Sequence, residues 1–499
     1  MARRGHGGAA HRGGAPDRAR GDAPDREAGA SVIDLIAAKP GPADRFDRRL
    51  LAPMMIGAVL NPVNSSIIAV ALVPIATALG APASESAWLV SSLYLATSIG
   101  QPLVGRLVDM FGPRRLSIAG AILTGLAGVI GVFAPNIAVL VIARVVLGFG
   151  TCAGYPAAMY LIRSEATRTG MRSPAGVLTA LSVTTQTIAV IGPTLGGLLI
   201  QVGGWRATFA VNIPLAIASL VLSLLFLPKS TALDATRPAR GRLDYLGIAL
   251  FAGTLVSLLL FLMNIHLAQL WLLVLAAVFG AAFALWELRR ADPFIDVRVF
   301  AGNVPLLVTY ARGVLAATVS YCYLYGFTQW LEGGRGLSPA AAGLILLPTF
   351  GIGIVVASVF GRKPEIRWKL IVGAAGQIVM AVLLLLVGPE AAIWSLVLIA
   401  IVTGVPQGLV SLAIQNTLYH QADPARMGAT SGLLRTFMYV GAMLASAATG
   451  AFFHTTADTS GLHDLAWFML GAGALFLVIT LVDRSLRRVD RLATGATED

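Results

Sequence analysis

Residues Gly105 to Arg115 read GRLVDMFGPRR, a connection too short to be a domain, set directly between two apolar stretches. Two glycines, Gly105 and Gly112, a single acid, Asp109, and a closing basic pair, Arg114 and Arg115, give it its character. Gly105 is expected to let two helices approach closely, and Asp109 to cap or pair across a seam of helix ends. The arginines should stay in a headgroup layer. Such a segment would work as a latch between moving helices, so its flanks are expected to be membrane spans.

Composition points the same way. The chain has 499 residues, of which 56% are hydrophobic and 12% charged, with mean hydropathy +0.77; soluble domains are about 25% charged. From Leu50 onward, apolar stretches of about 20 residues recur, and they are read as fourteen helices. One set of alternate connections holds Arg106, Arg114, Arg115, Arg163, Arg168, Arg172 and further basic residues on to Arg426, whereas the other holds Arg206 and Arg335. That asymmetry puts the first set, and both termini, in the cytoplasm. It also accounts for the net charge of +12 without nucleic acid. Residues 1–49, rich in Gly, Ala, Pro, Arg and Asp, are expected to be a disordered basic cytoplasmic tail, and 489–499 a second tail. The first apolar run long enough to insert begins near Leu50, so an uncleaved anchor is expected. Cys152 and Cys322 fall in apolar helices, which argues against a disulfide framework. The fold class is therefore all-α, a polytopic membrane protein.

Further motifs narrow this. ARVVLGFG places Arg144 four residues before Gly148; GPTLGG runs from Gly192 to Gly197 and is followed by GWRATFAVNIP; RLDYLG, GLSPAAAGLILLP and RMGATSGLLRT open later helices. With GRLVDMFGPRR, these resemble the major facilitator superfamily, and within it the fourteen-helix drug:proton antiporters, from about Leu50 to Arg488. The resemblance implies two six-helix bundles, 50–228 and 299–488, around a central cavity, with a linker and two inserted helices in 229–298. It implies a conformational latch at Gly105, Asp109, Gly112, Arg114 and Arg115, and an antiporter motif at Gly192, Pro193, Gly196 and Gly197. It implies proton-coupled export of a drug, toxin or metabolite across the inner membrane by alternating access, with no cofactor and no resident metal. The partners so implied are a small-molecule substrate and the lipid bilayer, with a periplasmic adaptor admitted as a third.

An ionisable group inside the hydrocarbon is a functional candidate by default. Arg144, Arg312 and Arg435 qualify, and no Asp, Glu or His lies in the middle of a predicted span. Where the antiporter family commonly carries an acid in its first helix, this chain has Asn64, which cannot titrate. Coupling is left to Asp109 or another peripheral acid, to a proton carried on the substrate, or is absent. Three arginines without carboxylates make a net-positive cavity suited to an anion such as an organic acid or a siderophore. The alternative is that one or more of them bond backbone carbonyls outside the cavity. Tyr321 and Tyr325 share a helical face beside Gln329, placed either to stack on a ligand or to pack against neighbours. Gln186, Gln407 and Gln415 read as buried hydrogen-bonders. No His/Glu, His/His or Asp/Asp pair at one depth supports an intramembrane enzyme, and no phosphate loop supports ATP hydrolysis. A non-transporting receptor on the same fold is the competing class.

Overall fold

The computed structural model describes residues 46–169, 175–229, 243–290, 293–295, 297–300, 303–360, 365–421, 427–453, 456–487 and 490, and it is helical wherever it is regular. Segments separated only by a turn share a label here. α1 comprises Leu51–Ile67 and Leu72–Leu79, α2 is Ala83–Phe111, α3 is Pro113–Val132, and α4 comprises Ile137–Thr151 and Gly154–Thr169. α5 is Ala175–Gly203, α6 comprises Ala207–Ala210 and Asn212–Phe226, α7 is Tyr245–Leu262 and α8 is Leu270–Arg289. α9 is Val304–Cys322, extended by π-helical turns at Tyr323–Phe327 and Trp330–Gly334. α10 is Pro339–Phe360, α11 Arg367–Leu385, α12 Ile393–Gln421, α13 Met427–Phe453 and α14 Thr459–Val482.

Among the described residues, twelve helices are long and apolar enough to cross a membrane, where fourteen were expected. α2 falls short on composition, although it has 29 residues. α2 spends its first half on Ser and Thr, whereas α5, also 29 residues long, is described without interruption only over Ile191–Gly203, which is apolar. Local signals set the helix starts. Asn136, Asp244, Asn303 and Asp458 accept backbone N–H bonds from the residue three positions on, opening α4, α7, α9 and α14.

Helix contacts sort the chain. α1–α6 pack on one another, α9–α14 do likewise, and α7 pairs with α8 beside α2. Two seams join the six-helix sets, α2 on α13 and α5 on α10. On α8, Trp271, Val274, Val278 and Leu285 lie exposed along one stripe, the face a helix turns to lipid. One end of the bundle collects Arg106, Arg114, Arg163 and Arg298. At the other end Arg206 donates to the Val132 carbonyl (3.1 Å) and Arg335 to the Pro389 and Ala391 carbonyls. These are called the arginine-rich end and the far end below.

Several expectations need correction. GRLVDMF is helical, because α2 runs on to Phe111 and the turn into α3 is Gly112 alone, at φ +86°. Open space surrounds the Gly105 Cα, so close packing is not its reason. The expected 1–49 tail lies outside the described residues up to 45. Beyond that, Asp47 caps the turn Arg48–Leu50 and its N–H donates to Glu165 (3.1 Å), so this end of the tail is fixed. The 489–499 tail is described only at Asp490, whose carboxylate accepts the Arg367 N–H (3.1 Å) at the start of α11.

Candidate functional site

The far end is shut by small residues. Along α5, Gly192 and Gly196 lie against Ser66, Ile67 and Val70 of α1, while Pro193 and Gly197 meet α10. A Cβ on Gly197 would sit 2.6 Å from the Ala340 Cα, and one on Gly343 would sit 2.6 Å from the Pro193 carbonyl oxygen. The Thr194 hydroxyl donates to the Gly343 carbonyl at 3.1 Å. GPTLGG thus joins the two six-helix sets, and any side chain would wedge its backbones apart. The second seam closes at the same end, where the Ser446 hydroxyl donates to the Ala87 carbonyl at 2.7 Å.

Midway along the helices the seam turns aromatic. The Tyr94 hydroxyl donates to that of Tyr325 (2.8 Å), which donates on to the Ser65 carbonyl (3.0 Å), so α2, α9 and α1 are linked across the two sets. Tyr321 stacks on Tyr325 with centroids 5.7 Å apart and meets Tyr94 edge-on at 5.2 Å. Tyr439 of α13 lies 5.5 Å from Tyr94. The π-helical turn that begins at Tyr323 widens α9 just where these rings gather, a placement frequent at functional sites.

Arg144 stands beside this cluster, 2% exposed, within electrostatic reach of Tyr94 and Tyr325. Its Nε donates to the Leu89 carbonyl (2.8 Å) and its Nη1 to the Asn64 carbonyl (3.3 Å), whereas its Nη2 is buried without a partner. Nothing in this geometry is snorkelling. Arg435 is the other cation of the seam, its guanidinium 4.1 Å from the Tyr155 ring centroid and close to Tyr439.

Exposure shows which way the site opens. Arg435 is exposed, although it shares a helical stripe with Tyr439 and Ala442, both buried. Gln407 is exposed on the face of α12 that buries Ala400 and Thr403, and Gln415 two turns on is exposed as well. On α4 the same holds for Met159 and Arg163. Side chains that reach solvent on faces otherwise buried in protein line a gap between helices. This gap lies toward the arginine-rich end, away from the seams that close the far end.

The structure divides the expected residues. Arg144, Arg435, Tyr321 and Tyr325 come together. Gln415 and Gln407 line the gap and are not buried hydrogen-bonders; Gln415 donates to the Ser411 hydroxyl at 3.2 Å. Gln329 is buried in α9, beyond Tyr325 toward the far end. The Gln186 side chain lies outside the described residues. Arg312 is not a cavity residue: fully buried, it forms an ion pair with Asp483 just past α14, so its charge is neutralised within the protein. The Asn64 side chain is taken up by protein partners. Its amide exchanges two hydrogen bonds with that of Asn212, at 2.6 and 2.9 Å, and donates to the Leu60 carbonyl at 2.9 Å. Of the latch residues, Asp109 is exposed with Arg163 as its charge neighbour, Arg114 donates to the Leu224 carbonyl at the end of α6 (2.9 Å), and Arg115 is exposed. Sequence reasoning missed Tyr94, Tyr439, Tyr155 and Asn212. The tyrosines are lone polar rings in apolar runs, and Asn212, although it lies within GWRATFAVNIP, has nothing in its spacing that points to Asn64.

No group of three His, Cys, Asp or Glu is placed to hold a metal among the described residues, and Cys152 and Cys322 are buried free thiols.

Comparison with known proteins agrees with this architecture. Residues 54–446 match the Major Facilitator Superfamily model. An uncharacterized MFS-type transporter of Bacillus subtilis (strain 168), YwoD, is 32% identical over 439 residues, covering 86% of this chain and 96% of its own length. A lincomycin resistance protein of Streptomyces lincolnensis is 32% identical over 396 residues, covering 76% and 78% respectively. A tetracenomycin C resistance and export protein of Streptomyces glaucescens is 27% identical over 422 residues, covering 80% and 74%. In fold, the chain is similar to a crystal structure of the peptide transporter POT with sulfate, at TM-score 0.65 and 15% identity over 89% of this chain and 95% of that one. The chain is a multi-pass membrane transporter and belongs to the major facilitator superfamily.

Proposed function

We propose that the chain is a proton-driven secondary exporter of the fourteen-helix drug:proton antiporter type, working by alternating access and seen with its site open to the cytoplasm. The observation that carries this reading is the pairing of a shut far end with a gap that exposes Arg435, Gln407 and Gln415. Helices α1–α6 and α9–α14 are the two rocking bundles, and α7–α8 is the inserted pair. α2, though less apolar, and α5 cross the bilayer among protein neighbours, which makes fourteen spans. The arginine asymmetry supports an inner-membrane orientation with both termini cytoplasmic. Export is supported by likeness to proteins named for lincomycin resistance and for tetracenomycin C resistance and export.

The substrate is an aromatic organic anion. Two arginines face the seam with no carboxylate beside them among the described residues, and stacked tyrosines offer a flat surface to a ring. Everted vesicles containing the full chain should accumulate a labelled aromatic carboxylate when a proton gradient is imposed. Binding without accumulation would show a receptor, and accumulation unaffected by collapse of the gradient would remove the proton.

A further inference from the structure

The inserted pair carries a feature that the transport site does not use. Between the first turns of α7 and the last turns of α8, at the arginine-rich end, lies a groove of about 560 Å3. Leu246 and Leu250 form one wall; Ala282, Leu285 and Trp286, three to four residues apart on one face of α8, form the other. Arg289 and Arg290 close it at the membrane edge.

This rim is built. The Trp286 Nε1 donates to both Asp244 carboxylate oxygens, at 3.0 and 2.9 Å, which fixes the indole. The Arg290 guanidinium lies over that indole, 4.5 Å from its centroid, with its Nε 4.0 Å from Asp244 and its side chain half exposed. Arg289 is exposed and has no protein partner among the described residues. The one acid between them and Trp286, Glu287, does not offset this charge at the surface, because it is fully buried and accepts the Ile295 N–H at 3.3 Å. An apolar trough that faces lipid and ends in two cations at headgroup level is complementary to one kind of neighbour.

We infer that this groove binds one anionic phospholipid, with its phosphate between Arg289 and Arg290 and an acyl chain along Leu246, Leu250, Ala282 and Leu285. The lipid supplies the countercharge that Asp244 alone does not, and its chain fills the space between two helices that pack mainly on each other. The site is independent of which substrate is exported.

Native mass spectrometry tests it. The full chain, purified and delipidated in detergent, is titrated with equimolar phosphatidylglycerol and phosphatidylcholine of matched acyl chains. One phosphatidylglycerol should be retained in preference to phosphatidylcholine by on the order of tenfold, the scale of two interfacial arginines. Arg289→Gln with Arg290→Gln, both at exposed positions, should abolish the preference. Ala282→Trp, which fills the trough and leaves the charges, should abolish retention. Wild-type chain without the preference, a preference that survives the double substitution, or retention unchanged by Ala282→Trp would each overturn the site.

Discussion

Two regions of the molecule bury an arginine in an apolar bundle and solve the problem in opposite ways. At the junction of α9 and α14, Arg312 has its carboxylate: Asp483 pairs with it, and Thr309 accepts a further bond at 3.4 Å. In the tyrosine seam, buried Arg144 has carbonyls, and Arg435, exposed to the gap, has rings, but neither has a carboxylate among the described residues. A buried charge that is left unpaired is costly, and it persists where something else is meant to complete it. The first region closes the fold, and the second is the one we propose for an anion.

Breaking the Arg312 pair should have the largest effect. Arg312→Ala or Asp483→Ala strands one buried charge, so either is expected to lower stability by about 3–5 kcal/mol. Thermal unfolding in detergent measures it. Replacing both partners with leucine should recover most of the loss, because neither charge then remains buried. Failure of that rescue would argue that Arg312 has a task beyond pairing. The pH dependence sharpens the same point. Burial pushes the Asp483 carboxyl up, but bonds from Ser485 and Arg312 outweigh it and hold the group below its usual range. With the folded value depressed, the stabilisation is complete above the ordinary carboxylate pKa of about 3.9 and is lost only as pH falls through the lowered value. The stability gap between wild type and Asp483→Asn should therefore stay constant from about pH 8 to pH 5 and narrow only below about pH 4.

The seam should respond in transport before it responds in folding. Arg144→Ala loses the bonds to Leu89 and Asn64, and is expected to be nearly inactive in vesicle transport while still inserting. Arg144→Lys should be impaired too, because one ammonium does not reproduce a fork of donors that reaches two helices. Equal transport by wild type and Arg144→Ala would take this residue out of the mechanism. A smaller effect is expected at Asn64, whose role is internal. Asn64→Asp removes the donors to Leu60 and Asn212 and should cost about 1–3 kcal/mol of stability, without creating a cation site.

How much of this could be read beforehand follows from range. Lipid demands long apolar runs, so the helices and the arginine asymmetry are written locally along the chain. The embedding of Arg144 is local too, since ARVVLGFG leaves it nowhere polar to go. Its partners are not local. Arg312 and Asp483 were each legible, one as an embedded cation and the other as an acid at a helix end, but 171 positions separate them. The Asn64–Asn212 pair spans 148 positions and Tyr94–Tyr325 spans 231. The extent of the loop was misread for a different reason. Gly105 suggested a loop, yet the apolar residues on either side carry the helix through it to Phe111, and only Gly112 needs a backbone that other residues avoid.

The most direct test sets the two arginine environments against each other with a matched pair of ligands, an aromatic carboxylate and the corresponding aromatic amine. Binding would be measured by isothermal titration to wild type, Arg435→Gln and the folded fraction of Arg312→Gln. The carboxylate should bind wild type more tightly than the amine, lose about 1.5–3 kcal/mol in Arg435→Gln and keep its affinity in Arg312→Gln. Preference for the amine in the wild type, or the same loss in both variants, would contradict the distinction between a paired arginine that folds the protein and an unpaired one that binds its cargo.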